Sequence, residues 1–360
     1  MKNERTVTYA QAINEAMDLA LKNDPDVFLI GDGLPDLKGV FGSTMGLVEK
    51  YGAQRVMDMP VSENALTGVC IGAALRGMKP VLTHQRLDFA LLSLDQIINN
   101  AAKWHYMFGG QQSVPLIIRM IIGRGWGQGA QHSQNLQAVF AHIPGLKVIT
   151  PTTAYDVKGM LLAAIADANP VICLEDRWLY GLKDFVPQES YTVPLGKAKV
   201  LKEGEDITVI ANGYMAVEAL KAVQLLEKIN IHAELIDLRT VQPLDKETIL
   251  KSVQKTKNIL AIDSGTLSGG LAGEIIALVT ENIFAQLKAA PQRLALPDYP
   301  SPSSPGLTRE YYPDGPAIAW KVLETLKRQG DAQKLKDILK KEQPSDKPHD
   351  VPDLSFTGPF

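Results

Sequence analysis

The stretch MDMPVSENALTGVCIGAALRGM, residues 57–78, places one carboxylate, Glu63, where an extended run meets a helix of small residues. Val56, Met57, Met59 and Pro60 read as the end of a strand, and Ser62 reads as an N-cap. An acid in a first helical turn is stabilised by the helix dipole by roughly 0.3–1 kcal/mol, which suffices for a purely structural Glu63. The glycines and alanines that follow also let another backbone approach closely, which suits an acid held against a ligand. His132 in GAQHSQN directly follows a glycine-rich loop, where an imidazole can serve as general acid or base near neutral pH. His84 in THQRLDF stands at another strand end, beside Arg86 and Asp88.

Three glycine-rich stretches invite a phosphate reading. Gly31-Asp32-Gly33 ends a strand, where ligands of open α/β sheets bind. Gly125-x-Gly127-x-x-Ala130 fits a loose dinucleotide fingerprint, but no acid stands about 20 residues further on to hold a ribose. Residues 264–274, SGTLSGGLAGE, need be no more than a tight turn. The sequence contains no nucleophile elbow, Walker loop or spaced His/Cys metal cluster.

These residues sit on a regular alternation of elements. Strands are expected at 27–33, 55–60, 80–85, 114–123, 147–151 and 170–176, separated by helices at 8–22, 64–77, 92–107 and 153–168. Ile/Val/Leu-rich strands alternating with helices predict a mainly parallel sheet covered on both faces. The alternation restarts with strands at 207–213, 233–241, 258–264 and 292–298 and a closing helix near 316–327. The expected organisation is a doubly wound α/β domain at 1–190, a linker at 191–205, a smaller α/β domain at 206–328, and a tail at 329–360 that is extended over a surface or mobile.

Composition excludes several classes. With 45% hydrophobic and 21% charged residues, the 360-residue chain reads as a soluble globular protein of two domains. A net charge of −3 offers no basic surface for nucleic acid. No apolar run reaches the ~20 residues that span a bilayer, and MKNERTVTYA lacks a signal-peptide core. Cys70 and Cys173 lie in apolar contexts and read as small buried hydrophobes of a reducing, cytoplasmic setting.

Longer phrases carry a resemblance. MPVSENALTGVCIGAALRGMKPV, LDQIINNAAKWHYMFGG, GAQHSQNLQAVFAHIPGLKVITPTTAYDVKGMLLAAI and Ile236-Asp237-Leu238-Arg239-Thr240-Val241-Gln242-Pro243-Leu244-Asp245 closely resemble one family. It is the β subunit of the thiamine-diphosphate-dependent decarboxylase component of 2-oxoacid dehydrogenase complexes. The resemblance runs from about residue 5 to 328 and looks strongest toward acetoin dehydrogenase, with the pyruvate and branched-chain enzymes close behind. It implies a pyrimidine-binding-type domain followed by a transketolase C-terminal-type domain.

The resemblance also implies site roles. Glu63 would hydrogen-bond the aminopyrimidine of thiamine diphosphate and so drive formation of its carbon nucleophile, with Ala65, Gly68, Gly72 and Ala73 permitting the close contact. Phe89 would pack against that ring, Gln85 would line the pocket, and His132 would orient substrate and assist acyl transfer to a lipoyl group. Leu116, Ala164, Ile165, Asp167 and Asn169 fall where such subunits can hold potassium through backbone oxygens. Magnesium and diphosphate are expected from a separate α subunit in an α2β2 tetramer, because Gly31-Asp32-Gly33 is badly spaced from Asn64 and reads as a turn. The expected partners are thus the α subunit and a lipoyl acyltransferase, without nucleic acid or membrane. Transketolase-like ketol transfer and a non-catalytic assembly role are the alternatives. Thr83 stands where an acid is usual, and Arg86, Arg124 and Trp126 replace smaller residues. Arg86 is read first as a partner of Asp88 or of another subunit; with Arg124 it could instead select a substrate bearing a second anionic group.

Overall fold

The computed structural model describes residues 5–124 and 127–342. After a short N-terminal strand β1 (Thr6–Thr8), six strands follow in chain order: β2 (Val27–Gly31), β3 (Val56–Met57), β4 (Lys79–His84), β5 (Ile117–Ile122), β6 (Lys147–Ile149) and β7 (Val171–Asp176). All six are parallel and lie in the order β6-β7-β5-β4-β2-β3. The central strands are buried along their whole length, because helices cover both faces, and this explains why they are mostly apolar, with Arg119 of β5 and Glu175 and Asp176 of β7 as buried exceptions. The helix Tyr9–Asn23 starts at a capping box in which Thr8 and Gln11 bond each other's backbone.

A second sheet contains β9 (Lys199–Lys202), β10 (Ile207–Ala211), β11 (Ala233–Asp237), β13 (Ile259–Thr266) and β14 (Gln292–Leu296), in the order β14-β13-β10-β11-β9. The helices Tyr214–Glu227 and Gly315–Thr325 close one face with Met215, Val223, Leu226, Ile318 and Val322. Two strands lie outside these runs. β8 (Lys183–Phe185) pairs with β1, and β12 (Thr240–Gln242) adds antiparallel to β6 at the edge of the first sheet.

Four expectations need correction. Residues 233–241 are not one strand. The chain turns at Arg239, whose φ is +53°, so β11 serves the second sheet and β12 the first. Arg239 fixes that turn by donating from Nη1 to Asp156 Oδ1 at 3.0 Å and from Nε to the Lys197 carbonyl at 3.1 Å. The expected linker 191–205 contains β9, an edge strand whose KVLK residues are mostly exposed and so carry little apolar signal. The helix expected at 92–107 breaks into a 3-10 turn (Leu91–Ser93), a π-helical stretch (Gln96–Ala101) and a short helix (Trp104–Met107). The wider π turn buries Ile97, Ala101 and Ala102 together and lays the Ala102 carbonyl against Gly145, where no side chain would fit. Within the tail, Ala332–Glu342 is a helix, and Leu335 is buried in the core beneath the second sheet. Residues 343–360 lie outside the described residues, and no helix among the described residues is long and apolar enough to cross a membrane.

The junction between the sheets makes one pH prediction. Asp237, at the end of β11, is fully buried; burial and then the nearby Asp156 carboxylate push its pKa up to about 7, against hydrogen bonding from Thr152 and the Arg239 backbone. A carboxyl whose folded pKa lies above its unfolded value of about 3.9 contributes stability that is complete at low pH and fades as pH rises through the folded value. Between roughly pH 4 and 7 this group therefore lowers the unfolding midpoint. Asp237→Asn, neutral throughout, should flatten that fall. An unchanged pH slope in a thermal unfolding series would refute it.

Candidate functional site

The site lies at the carboxyl edge of the first sheet, where loops leave β2, β3, β4 and β5 on the same side. Beyond β3, Asp58 Oδ1 accepts from the backbone N–H groups of Gly33 and Met59, both at 3.0 Å, and so fixes the turn after β2. The chain then enters the helix Glu63–Leu75. Ser62 occupies the N-cap position, but its hydroxyl makes no capping bond. Glu63 is only 8% exposed, and nothing among the described residues hydrogen-bonds its carboxylate. Its carboxylate oxygens are not among the enclosed polar atoms left without a partner, so the acid opens onto this edge, where a ligand can reach it.

Glu63 sits within an acidic edge. Partial burial, then Asp58, Asp36 and Glu63, raise the Asp32 carboxyl above its ordinary range. Gly33 has φ +68° and turns the chain there. A diphosphate would meet this negative edge unfavourably, in keeping with a turn at Gly31–Gly33. No group of three or more His, Cys, Asp or Glu able to hold a metal occurs among the described residues.

Gln85 follows β4 and donates from Nε2 to the Asp32 carbonyl at 2.8 Å, joining the two loops. Four residues on, Phe89 is 38% exposed and meets the His132 ring edge-on, with centroids 5.4 Å apart and planes at 88°. Glu63, Gln85, Phe89 and His132 therefore all lie on the loops and first helical turns that follow strands at one sheet edge. His84, by contrast, faces the core: burial lowers its pKa to about 4 and keeps it neutral.

The arginines point elsewhere. Arg86 does not form an ion pair with Asp88. The Asp88 carboxylate accepts from Gln134 Nε2 at 2.8 Å, while the buried Arg86 guanidinium donates to the Gly123 carbonyl at 3.4 Å and to Gln128 Oε1. Burial, then Arg177, pulls its pKa down to about 10. Arg124 lies between two rings, 3.8 Å from the Trp178 centroid and 4.3 Å from that of Tyr312. Beneath them Asp176 is pushed up to about 6 by burial, against a hydrogen bond from the Trp178 backbone and the three arginines. Gly123, at φ +89°, passes so close that a Cβ there would lie 2.9 Å from both Asp176 carboxylate oxygens. Gly125 and Trp126 lie outside the described residues.

Sequence reasoning missed Asn135 and Gln134. Asn135 Oδ1 accepts from the Gly123 backbone at 2.7 Å and its Nδ2 donates to the Ser264 carbonyl at 3.0 Å, so one amide closes the histidine loop and joins it to β13. No local signal marks either residue, because their partners lie far along the chain. The five positions expected at a potassium site fall in three segments: Leu116 just before β5, Ala164 and Ile165 at the end of the helix Ala154–Ile165, and Asp167 and Asn169 in the turn before β7. Leu116 O accepts from Val171 N at 2.9 Å, Ala164 O from Asp167 N at 3.1 Å, and Asp167 Oδ1 from Asn169 N at 3.0 Å. The other Asp167 oxygen is paired with Lys147.

Comparison with known proteins fits this architecture. Residues 5–183 match the transketolase pyrimidine binding domain and residues 196–318 the transketolase C-terminal domain. A solved structure, "Split gene transketolase, inactive beta4 tetramer", superposes with a TM-score of 0.73 over 89% of this chain and 98% of its own, at 21% identity, and so shows the fold alone. The chain is 41% identical over 333 residues (90% of its length, 98% of the relative's) to the Acetoin:2,6-dichlorophenolindophenol oxidoreductase subunit beta of Cupriavidus necator. The 2-oxoisovalerate dehydrogenase subunit beta of Bacillus subtilis is 42% identical, covering 85% of this chain and 94% of its own. A mitochondrial pyruvate dehydrogenase E1 component subunit beta-2 of Oryza sativa is 41% identical, covering 86% and 83%. The fold is thus the transketolase type. The chain belongs to the family of β subunits of acetoin and 2-oxoacid dehydrogenases.

Proposed function

We propose that this chain is the β half of a thiamine-diphosphate-dependent dehydrogenase that cleaves a 2-oxo acid or acetoin and passes the acyl group to a lipoyl carrier. One observation carries the reading: Glu63, largely buried at the carboxyl edge of a parallel sheet, accepts no hydrogen bond at its carboxylate from any described residue and leaves that carboxylate open to the edge. A ring nitrogen that shares a proton with the acid would complete it. Thiamine diphosphate supplies, when bound, the carbon nucleophile that attacks the substrate carbonyl. Glu63 would hold the proton at the aminopyrimidine, Phe89 would offer its exposed ring to that heterocycle, and Gln85, held to the Asp32 carbonyl, would line the pocket. His132, edge-on to Phe89, orients the acyl group and manages its proton on transfer.

The acidic edge around Asp32 supports placing the diphosphate and its magnesium on an α subunit, in an α2β2 assembly that works with a lipoyl acyltransferase in the cytoplasm. Potassium held by backbone oxygens of Leu116, Ala164, Ile165, Asp167 and Asn169 suits the geometry, because carbonyls that accept one N–H keep a second lone pair. Lys147 already neutralises the Asp167 side chain. Potassium should then raise the unfolding midpoint over sodium at equal ionic strength, and equal midpoints remove it.

The decisive experiment is co-expression with α-type subunits, followed by a panel of pyruvate, branched 2-oxo acids and acetoin. Turnover that requires both chains and thiamine diphosphate is expected. Ketol transfer without a lipoyl acceptor would favour the transketolase-like alternative. Stable assembly with neither cofactor binding nor turnover would favour the non-catalytic one.

A further inference from the structure

The aromatic pocket around Arg124 is built by both domains and filled from within. Trp178 follows β7 of the first sheet, Tyr312 belongs to the second half of the chain, and Tyr214 packs edge-on against Trp178 at 5.2 Å. With the guanidinium between the rings, a cavity of about 20 Å³ remains, room for one water and no ligand. Trp178 Nε1 has no hydrogen-bond partner among the described residues, so this side chain contributes its face and not its N–H.

The same loop is held at further points. Arg86 grips the Gly123 carbonyl and Gln128, Asn135 closes the loop base onto Ser264, and Gly129, at φ +67°, packs against the Ser303 side chain. Residues between these anchors carry His132.

We propose that Arg124 is a positioning residue: clamped between Trp178 and Tyr312, it locks the histidine loop across the two domains and so fixes the His132 ring against Phe89. The guanidinium lies within 4.3 Å of both ring centroids with its Nη1 enclosed, and a cation–π contact strengthens as the cation loses water. The inference rests on the role assigned to His132 for its effect on turnover, but the clamp itself is testable without it.

Hydrogen–deuterium exchange on the full chain reads the clamp. Arg124→Met and Trp178→Leu should speed exchange of the 127–135 amides by about tenfold or more, while Trp178→Phe, which keeps an aromatic face, stays near the parent rate. Arg124→Lys, a milder variant should the first not fold, should fall between. Unchanged exchange in the Arg124 variants, or equal acceleration in Trp178→Phe and Trp178→Leu, overturns the clamp. In the complex with an α subunit, Arg124→Met should lower acyl transfer about tenfold, yet add little in a His132→Ala background, because residues acting through one group are non-additive. Full additivity would show that Arg124 does not act through His132 and would overturn the positioning role. A His132→Ala complex with parental acyl transfer would instead refute the role of His132, while the exchange experiment would still judge the clamp.

Discussion

Glu63→Gln should leave folding and assembly intact and lower turnover of the reconstituted complex by several powers of ten, about 1.36 kcal/mol of barrier for each tenfold loss. The amide has nearly the same shape as the acid, and no group among the described residues hydrogen-bonds the Glu63 side chain, so the change strands no protein donor. What it removes is a proton site. A structural Glu63, serving only the helix dipole, would cost roughly 0.3–1 kcal/mol of stability and nothing in rate. The two readings therefore separate on different axes: unfolding midpoint for one, kcat for the other. A second readout needs no cofactor. The Glu63 charge is among the causes that raise Asp32, so its loss should let the Asp32 carboxyl titrate lower. Near-parental turnover in the complex would sink the catalytic assignment.

The second large effect is expected far from the site. Arg119 of β5 and Glu175 of β7 are fully buried and joined by two hydrogen bonds, Nε to Oε1 at 2.6 Å and Nη2 to Oε2 at 2.9 Å. Arg119 Nη2 also donates to Ser43 Oγ at 3.0 Å, and Tyr180 donates to Glu175 Oε2 at 2.5 Å. Burial opposes the arginine's charge, but the Glu175 carboxylate outweighs it and holds the guanidinium above its ordinary range. Arg119→Met would leave that carboxylate buried and uncompensated, at a cost of about 3–5 kcal/mol. Arg119→Met with Glu175→Leu should recover much of the loss, because replacing both partners of a buried pair with apolar residues is often neutral. The measurement is the unfolding free energy of the single and double variants. A single-variant loss below about 1 kcal/mol would show that the pair is dispensable.

The network also shows why the site edge is firm. Through Ser43 it ties the long loop after β2 to the sheet interior, and the same loop begins at the Asp32–Gln85 contact. Arg119 could have been noticed in the sequence as the one charge inside PLIIRMII. Its partner could not, since Glu175 lies 56 residues on and pairs only because β5 and β7 are sheet neighbours.

The sequence by itself determined the strands and helices that bury whole apolar faces, because that signal is local and periodic: β4, β5, β7, β10 and the helix after Ser62 lie close to where their patterns put them. It also determined the family, through long phrases around Glu63 and His132. Elements whose stability comes from distant partners were illegible. β9 is an exposed edge strand, β12 changes sheets at a left-handed Arg239, and the helix Ala332–Glu342 exists because Leu335 finds a core elsewhere. The arginines show the limit most clearly. Nothing local distinguishes an Arg86 that pairs with Asp88 from one that holds Gly123 and Gln128, or an Arg124 that awaits a substrate from one clamped between Trp178 and Tyr312. A guanidinium takes whichever planar or anionic partner the fold brings within reach, and only the tertiary structure decides which partner that is.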